Sequence, residues 1–154
     1  MHKTSRSLAN AKLSDVEKII KRTGFYHVKA KRIIEVASII DTKYLGKVPK
    51  TLEELVSLPG VGRKTANCVL VYAFDKPAIP VDTHVHRISN RLGLVKTKIP
   101  EETEIELMKK IPKEYWIRIN DTFVMYGQNI CKPISPMCPV CKIKKECNFY
   151  KTRQ

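Results

Sequence analysis

The chain is poor in long apolar runs, in acidic side chains and in strand-like alternation. Its longest apolar stretch, Cys68 to Phe74, falls well short of the roughly 20 residues a membrane-spanning helix needs. The opening residues Met1-His2-Lys3-Thr4-Ser5-Arg6 lack the apolar core of a secretory signal. A cytoplasmic, intracellular protein with no membrane partner is therefore expected. At 154 residues there is room for one compact domain or two small ones, which excludes multidomain enzymes. Acidic residues number 15 against 29 Lys and Arg, a net charge of +14, and an excess of that size predicts a polyanionic partner. Charge alone does not choose between DNA, RNA and an acidic membrane surface. The 43% hydrophobic content is enough for a core and excludes a disordered chain.

No window alternates apolar and polar residues as a half-buried strand would, whereas apolar residues recur three and four apart along most of the chain. An all-α fold follows. Ser14-Asp15-Val16-Glu17 reads as a capping box with Val16, Ile19 and Ile20 on one face and Gly24 as the left-handed stop. A helix through Val28, Ile33, Ile34, Ala37 and Ile40 comes next and ends near Gly46. Thr51-Leu52-Glu53-Glu54 is a second box, opening a short helix that Leu58-Pro59-Gly60 ends. The next helix runs from about Arg63 to Phe74 with Ala66, Val69, Leu70 and Ala73 inward. Asp82 caps a helix stopped by Gly93, Pro100 starts another that Pro112 closes, and a last one carries Trp116, Phe123 and Tyr126. There is no internal repeat. The expected division is a helical domain over 8–112 and, over 113–154, a C-terminal helix with a cysteine-rich loop.

Four of the five cysteines, Cys131, Cys138, Cys141 and Cys147, crowd the C-terminus. In a chain without a secretion signal this density points to a metal centre rather than disulfides. Four thiolates suit tetrahedral zinc or a [4Fe-4S] cluster. One tight Cys-x2-Cys step flanked by two wider ones favours the cluster over a zinc ribbon, which pairs two tight steps. Cys68, on an apolar helix face, reads as a buried structural thiol.

Leu58-Pro59-Gly60-Val61-Gly62-Arg63-Lys64-Thr65-Ala66 joins two helices through a turn with two glycines. Gly60 and Gly62 let backbone amides approach a phosphate oxygen, and the N-terminus of the next helix adds a favourable dipole. The turn is either a grip on a nucleic acid backbone or an ordinary helix connection; Arg63 and Lys64 favour the grip. A helix of about 12 residues is roughly 18 Å long, and the segment Asp75 to Val81 spans up to about 24 Å extended. The chain can thus bring Asp82 back beside Lys64. An amine and a carboxylate facing a phosphodiester suit a nucleophile with its acid/base partner. A salt bridge, or a phosphate contact beside a plain helix cap, accounts for them equally well.

The motif Leu-Pro-Gly-Val-Gly-Arg-Lys-Thr-Ala-Asn, then Val81-Asp82-Thr83-His84, then the four-cysteine spacing, resembles the endonuclease III family of helix-hairpin-helix DNA glycosylases from about Leu8 to Tyr150. The resemblance implies a base-excision repair glycosylase with AP lyase activity. Its partner would be double-stranded DNA carrying damaged bases or abasic sites. Pro59, Gly60, Val61, Gly62 and Arg63 would hold DNA phosphate, Lys64 would attack the sugar, Asp82 would assist, and Cys131, Cys138, Cys141 and Cys147 would hold a [4Fe-4S] cluster. The lysine sets this branch apart from the mismatch-specific adenine and thymine glycosylases, and His84 fits the same branch.

Two departures accompany the resemblance. Family members carry further helices ahead of the segment starting near Leu8, and Met1 to Ser7 do not resemble them. Without those helices the chain would expose apolar surface or self-associate through it. The loop from Cys131 to Cys138 carries one basic residue, Lys132, as its DNA contact, with Lys142, Lys144 and Lys145 as substitutes. The alternatives are an incomplete or non-catalytic helix-hairpin-helix DNA-binding fragment and a zinc-stabilised nucleic-acid adaptor.

Overall fold

The structure, a computed structural model, describes residues 3–152. Met1, His2, Arg153 and Gln154 lie outside the described residues. Among the described residues every regular element is helical, as the periodicity predicts, and no helix is long and apolar enough to cross a membrane. The chain divides into two compact units, Met1–Gly62 and Arg63–Gln154.

The first unit contains α1 (Ser5–Ala9), α2 (Leu13–Ile20), α3 (Tyr26–Thr42) and α4 (Leu52–Val56). α1 and α2 lie against α3, whose buried Ala30 and Ala37 stand seven apart on one face and let neighbouring backbones come close. Val16, Leu55 and Leu58 complete this core. α1 is absent from the sequence reading. Thr4 starts it through a reciprocal box in which Ser7 N–H donates to Thr4 Oγ1 at 3.1 Å and Thr4 N–H donates to Ser7 Oγ at 3.2 Å.

Three local expectations are corrected here. The box at Ser14 does not form, because α2 begins two residues earlier than that box requires, with Lys12 as its N-cap and no side-chain cap bond. Ile19 is 66% exposed, so the buried stripe of α2 follows Val16 and not the three-residue face. Gly24 is not the left-handed stop. Thr23 closes that turn, its N–H and hydroxyl both donating to Ile20 O at 2.8 and 2.9 Å, and the positive φ of 56° falls on Phe25. The box at Thr51 does form: Glu54 N–H donates to Thr51 Oγ1 at 3.3 Å.

The second unit contains α5 (Arg63–Phe74), α6 (Thr83–Leu92), α7 (Pro100–Lys110), α8 (Trp116–Asn129) and α9 (Asn148–Lys151), with single 3-10 turns at Lys113–Tyr115, Cys138–Val140 and Lys144–Glu146. Ile79, Val81, Val85, Val95, Leu107 and Ile119 form its core, with Trp116 and Phe123 packed against it. Trp116 donates its indole N–H to Ile111 O at 2.8 Å, which satisfies the polar edge of the one tryptophan. α5 buries Ala66 and Leu70 as expected, but its inward face is rotated towards Asn67 and Val71 and away from Val69 and Ala73. Ala66, Asn67, Leu70 and Val71 are buried, and Ala73 is exposed. Asn67 belongs inside because its amide reaches a carbonyl that apolar neighbours would leave unpaired. Gly93 ends α6 with φ +84°, and a Cβ there would collide with the Asn148 side chain, so backbone conformation and close approach both demand glycine.

Candidate active site and cysteine centre

The turn Leu58-Pro59-Gly60-Val61-Gly62 closes the first unit. Val61 N–H donates to Leu58 O at 3.1 Å, and Gly60 sits at φ +74°. A Cβ at Gly60 would stand 2.5 Å from Cδ of Arg32, whereas one at Gly62 would meet nothing within 4 Å. The exposed Arg32 therefore lies across the turn and adds a guanidinium there, a contribution that its position on α3 does not advertise in the sequence.

The second unit opens on Arg63 and Lys64 in the first turn of α5. Arg63 Nε donates to Glu104 Oε2 at 3.1 Å and its NH2 donates to Glu104 Oε1 at 2.7 Å. The Glu104 side chain is only 5% exposed, so this bidentate pair binds α5 to α7 and neutralises a carboxylate that would otherwise be buried alone. Lys64 is exposed. Among the described residues Lys64 and Asp82 form no direct ion pair.

Asp82 is the N-cap of α6. Its Oδ1 accepts from His84 N–H at 2.8 Å and from Val85 N–H at 2.9 Å, as its place before the Thr83 helix predicts. Both bonds fall on one oxygen, which leaves Oδ2 outside the cap. The backbone just ahead of Asp82 is held by amides: Asn120 Nδ2 donates to Pro80 O at 2.7 Å and Asn67 Nδ2 to Ile79 O at 3.4 Å. Tyr72 donates its hydroxyl to Asp121 Oδ1 at 2.5 Å, with Asn120 Oδ1 at 3.2 Å. Burial of the hydroxyl end, then the bond to Asp121, holds that phenol above its usual range, with smaller contributions from Cys68 and Asp82. Cys68 is part-exposed, which corrects the reading of it as a buried thiol: the inward turn of Asn67 and Val71 moves its side chain towards the edge.

Cys131, Cys138, Cys141 and Cys147 line one pocket, together with Arg91, Tyr126 and Phe149. Two arginines of α6 hold the start of the cysteine loop. Arg87 donates to Cys131 O at 2.8 Å and to Gly127 O at 3.2 Å. Arg91 donates to Lys132 O at 2.7 Å and Pro133 O at 2.9 Å, and its guanidinium stands 4.4 Å over the Phe149 ring. Gly127 is small for the same reason, since a Cβ would stand 2.5 Å from His84 Nδ1. Lys132 itself is exposed. Two donors face the sulfurs: Arg91 NH1 at 3.4 Å from Cys131 Sγ and the Tyr126 hydroxyl at 2.9 Å from Cys141 Sγ. Burial, and next the contact with Cys141, pushes the Tyr126 hydroxyl above its usual range. Four thiols sharing one pocket, with a cation and a hydroxyl aimed at sulfur, suit a group that takes negative thiolate ligands. No three His, Cys, Asp or Glu among the described residues converge as a single metal ion requires.

A family model for HhH-GPD superfamily base excision DNA repair proteins matches residues 1–113. Endonuclease III of Thermotoga maritima is 54% identical over 153 residues, which is 99% of this chain and 72% of that protein. Endonuclease III of Bacillus subtilis is 45% identical over 88% of this chain and 62% of that protein. The fold matches the structure of a trapped endonuclease III–DNA covalent intermediate with a TM-score of 0.92 at 41% identity, over 99% of this chain and 72% of that one. A thermostable thymine-DNA glycosylase matches with a TM-score of 0.85 at 26% identity, over 98% and 71% of the two chains. The match reaches residue 1, ahead of Leu8 where the motifs begin. By sequence and by fold, the chain belongs to the endonuclease III family within the HhH-GPD superfamily of base excision DNA repair proteins.

Proposed function

We propose that this base-excision repair DNA glycosylase is also an AP lyase, which removes damaged pyrimidines and cuts the strand on the 3′ side of the resulting abasic site. The observation that carries the reading is the placement of Lys64 and Asp82 within one compact unit. Lys64 is exposed at the start of α5, and Asp82 is fixed by two amide bonds to one oxygen with the other left over. Both the structure named as a trapped endonuclease III–DNA covalent intermediate and the one named as a non-covalent endonuclease III–DNA complex share this fold, which supports duplex DNA as the partner.

In this mechanism the damaged nucleotide is flipped from the stack. The neutral amine of Lys64 forms a bond to C1′ as the bond from C1′ to the base breaks, and the base leaves with the electron pair. Asp82 stabilises the positive charge that develops on the sugar and takes the proton from the amine. Ring opening gives a Schiff base between Lys64 and C1′. Loss of a C2′ proton then expels the 3′ phosphate by β-elimination. Pro59, Gly60, Val61 and Gly62 meet a phosphate through the backbone of the turn, and Arg63 is a further DNA contact. Lys132 meets a second phosphate from the cysteine loop.

Division of labour follows the sequence: residues 8–112 carry the hairpin, Lys64 and Asp82, and 113–154 carry the C-terminal helix and the cofactor. Cys131, Cys138, Cys141 and Cys147 would hold a [4Fe-4S] cluster, which ties the C-terminal loop together and takes no part in bond breaking. One tight Cys-x2-Cys step flanked by two wider ones supports the cluster over zinc at these four thiolates. An intracellular location and, through exposed apolar surface, self-association complete the proposal. Incubation with abasic duplex DNA and borohydride tests it: the wild-type chain is expected to form a covalent adduct, and Lys64→Gln none. A chain that binds the duplex and forms no adduct is instead a non-catalytic helix-hairpin-helix module.

A further inference from the structure

Asp82 begins α6 as its N-cap, its carbonyl accepting from His86 N–H at 2.9 Å, but the stretch that leads into it from α5 belongs to no helix. The four residues ahead of it, Ala78 to Val81, are nonetheless fully buried. Buried backbone carbonyls in such a segment need partners, and here successive carbonyls receive side-chain amides from two different helices. Asn120 of α8, 6% exposed, donates to Pro80 O at 2.7 Å. Asn67 of α5, 2% exposed and one turn beyond Lys64, donates to Ile79 O at 3.4 Å. On its far side Asn120 is backed by Tyr72, one helix turn further along α5 than Cys68. The Tyr72 hydroxyl donates to Asp121 Oδ1 at 2.5 Å and stands 3.2 Å from Asn120 Oδ1, so it bridges two neighbouring side chains of α8 at the amide's oxygen end. Two amides thus tie the peptide carrying Asp82 to the helix carrying Lys64 and to α8.

We propose that Asn120, assisted by Asn67 and backed by Tyr72, is a positioning residue that sets the Asp82 carboxylate relative to Lys64. The inference rests on the assignment of those two residues under the proposed function. It separates two reactions of the same site. Removal of a base needs Asp82 in register, because positive charge grows on the sugar as the base departs, and displacement of a catalytic group by about 1 Å costs on the order of 100-fold. Trapping on a preformed abasic site has no base to expel, so it loses the need for charge stabilisation by Asp82 and keeps only the weaker dependence on Asp82 as acceptor of the Lys64 amine proton. A side chain that merely stabilised the unit would affect both reactions alike.

The test compares Asn120→Ala and Tyr72→Phe with the wild-type chain in two assays: base release from a duplex containing an oxidised pyrimidine, and borohydride trapping on abasic duplex, each scaled to the folded fraction. Asn120→Ala is expected to slow base release by about 10- to 100-fold while trapping changes by less than about 3-fold. Tyr72→Phe leaves both amides in place, and its expected effect is smaller and in the same direction, about 2- to 5-fold on base release alone. Equal losses in the two assays, or none in base release, overturn the inference. If Asn120→Ala fails to fold, Tyr72→Phe decides by the same criterion. A wild-type chain inactive in both assays overturns the Lys64 and Asp82 assignment itself, and this inference with it.

Discussion

Arg63 and Glu104 face each other through two parallel contacts, 3.1 Å from Nε to Oε2 and 2.7 Å from NH2 to Oε1. The residue beside the proposed nucleophile is thereby anchored to α7, and its side-chain charge is matched before any DNA arrives. Glu104→Gln keeps the shape and removes the charge. It is expected to destabilise the second unit by about 2 kcal/mol, below the loss from breaking a fully buried pair because Arg63 is part-exposed. A thermal melt of the variant beside the wild type measures this.

The two glycines of the turn call for different substitutions. Gly60 has a positive φ and Arg32 against it, so any side chain there disturbs the fold as well as the surface. Gly62 has open space around it, and Gly62→Asp places a carboxylate at the proposed phosphate position in a protein that still folds. Duplex affinity is expected to fall by at least 10-fold with the melting temperature nearly unchanged. In the wild type, log affinity is expected to fall with log salt at a slope of roughly −0.9 per phosphate neutralised. Unchanged affinity in the titration of Gly62→Asp removes the turn from the interface.

Cys138→Ser takes one thiolate from the pocket lined by four. The start of the loop keeps its anchors in Arg87 and Arg91, whereas the stretch around Cys138 and Cys141 has the cofactor as its main organiser. Iron content and solubility are expected to fall together. Iron analysis of anaerobically purified wild type is expected to show four irons per chain, with visible absorbance. Zinc bound at the four thiolates contradicts the cluster assignment.

The parts of this architecture that could be read from the sequence are the local ones. Asp82 as a cap, Gly93 as a stop, Thr51 as a cap and Pro100 as a first-turn residue each act within a few positions of themselves, and each stands where its chemistry dictates. What stayed hidden depends on partners far along the chain. The inward turn of Asn67 on α5 is explained by Ile79 O, and the burial of Glu104 by Arg63, 41 positions away. An apolar count favours Val69 and Ala73 over Asn67 because it scores burial without asking which carbonyl needs a donor. Exposure of Ile19 and Val28 was equally illegible: spacing places them on a stripe without saying how wide the neighbouring helix is.

Asp82→Asn retains the cap, since Asn accepts the same amide bonds, and removes the charge. Stability is expected to change by less than about 1 kcal/mol, base release to fall severely, and trapping on preformed abasic sites to persist at a reduced level. Parallel loss of both reactions would assign Asp82 to amine deprotonation alone.

The central claim is that Lys64 is the nucleophile, and peptide mapping of the borohydride-trapped complex tests it most directly. The chain carries many lysines on a surface of net charge +14, so adduct formation alone does not name the amine. Digestion of the trapped species and mass analysis are expected to place the sugar remnant on Lys64 and on no other lysine. A remnant on Lys132, Lys142 or any other lysine, with Lys64 unmodified, contradicts the assignment.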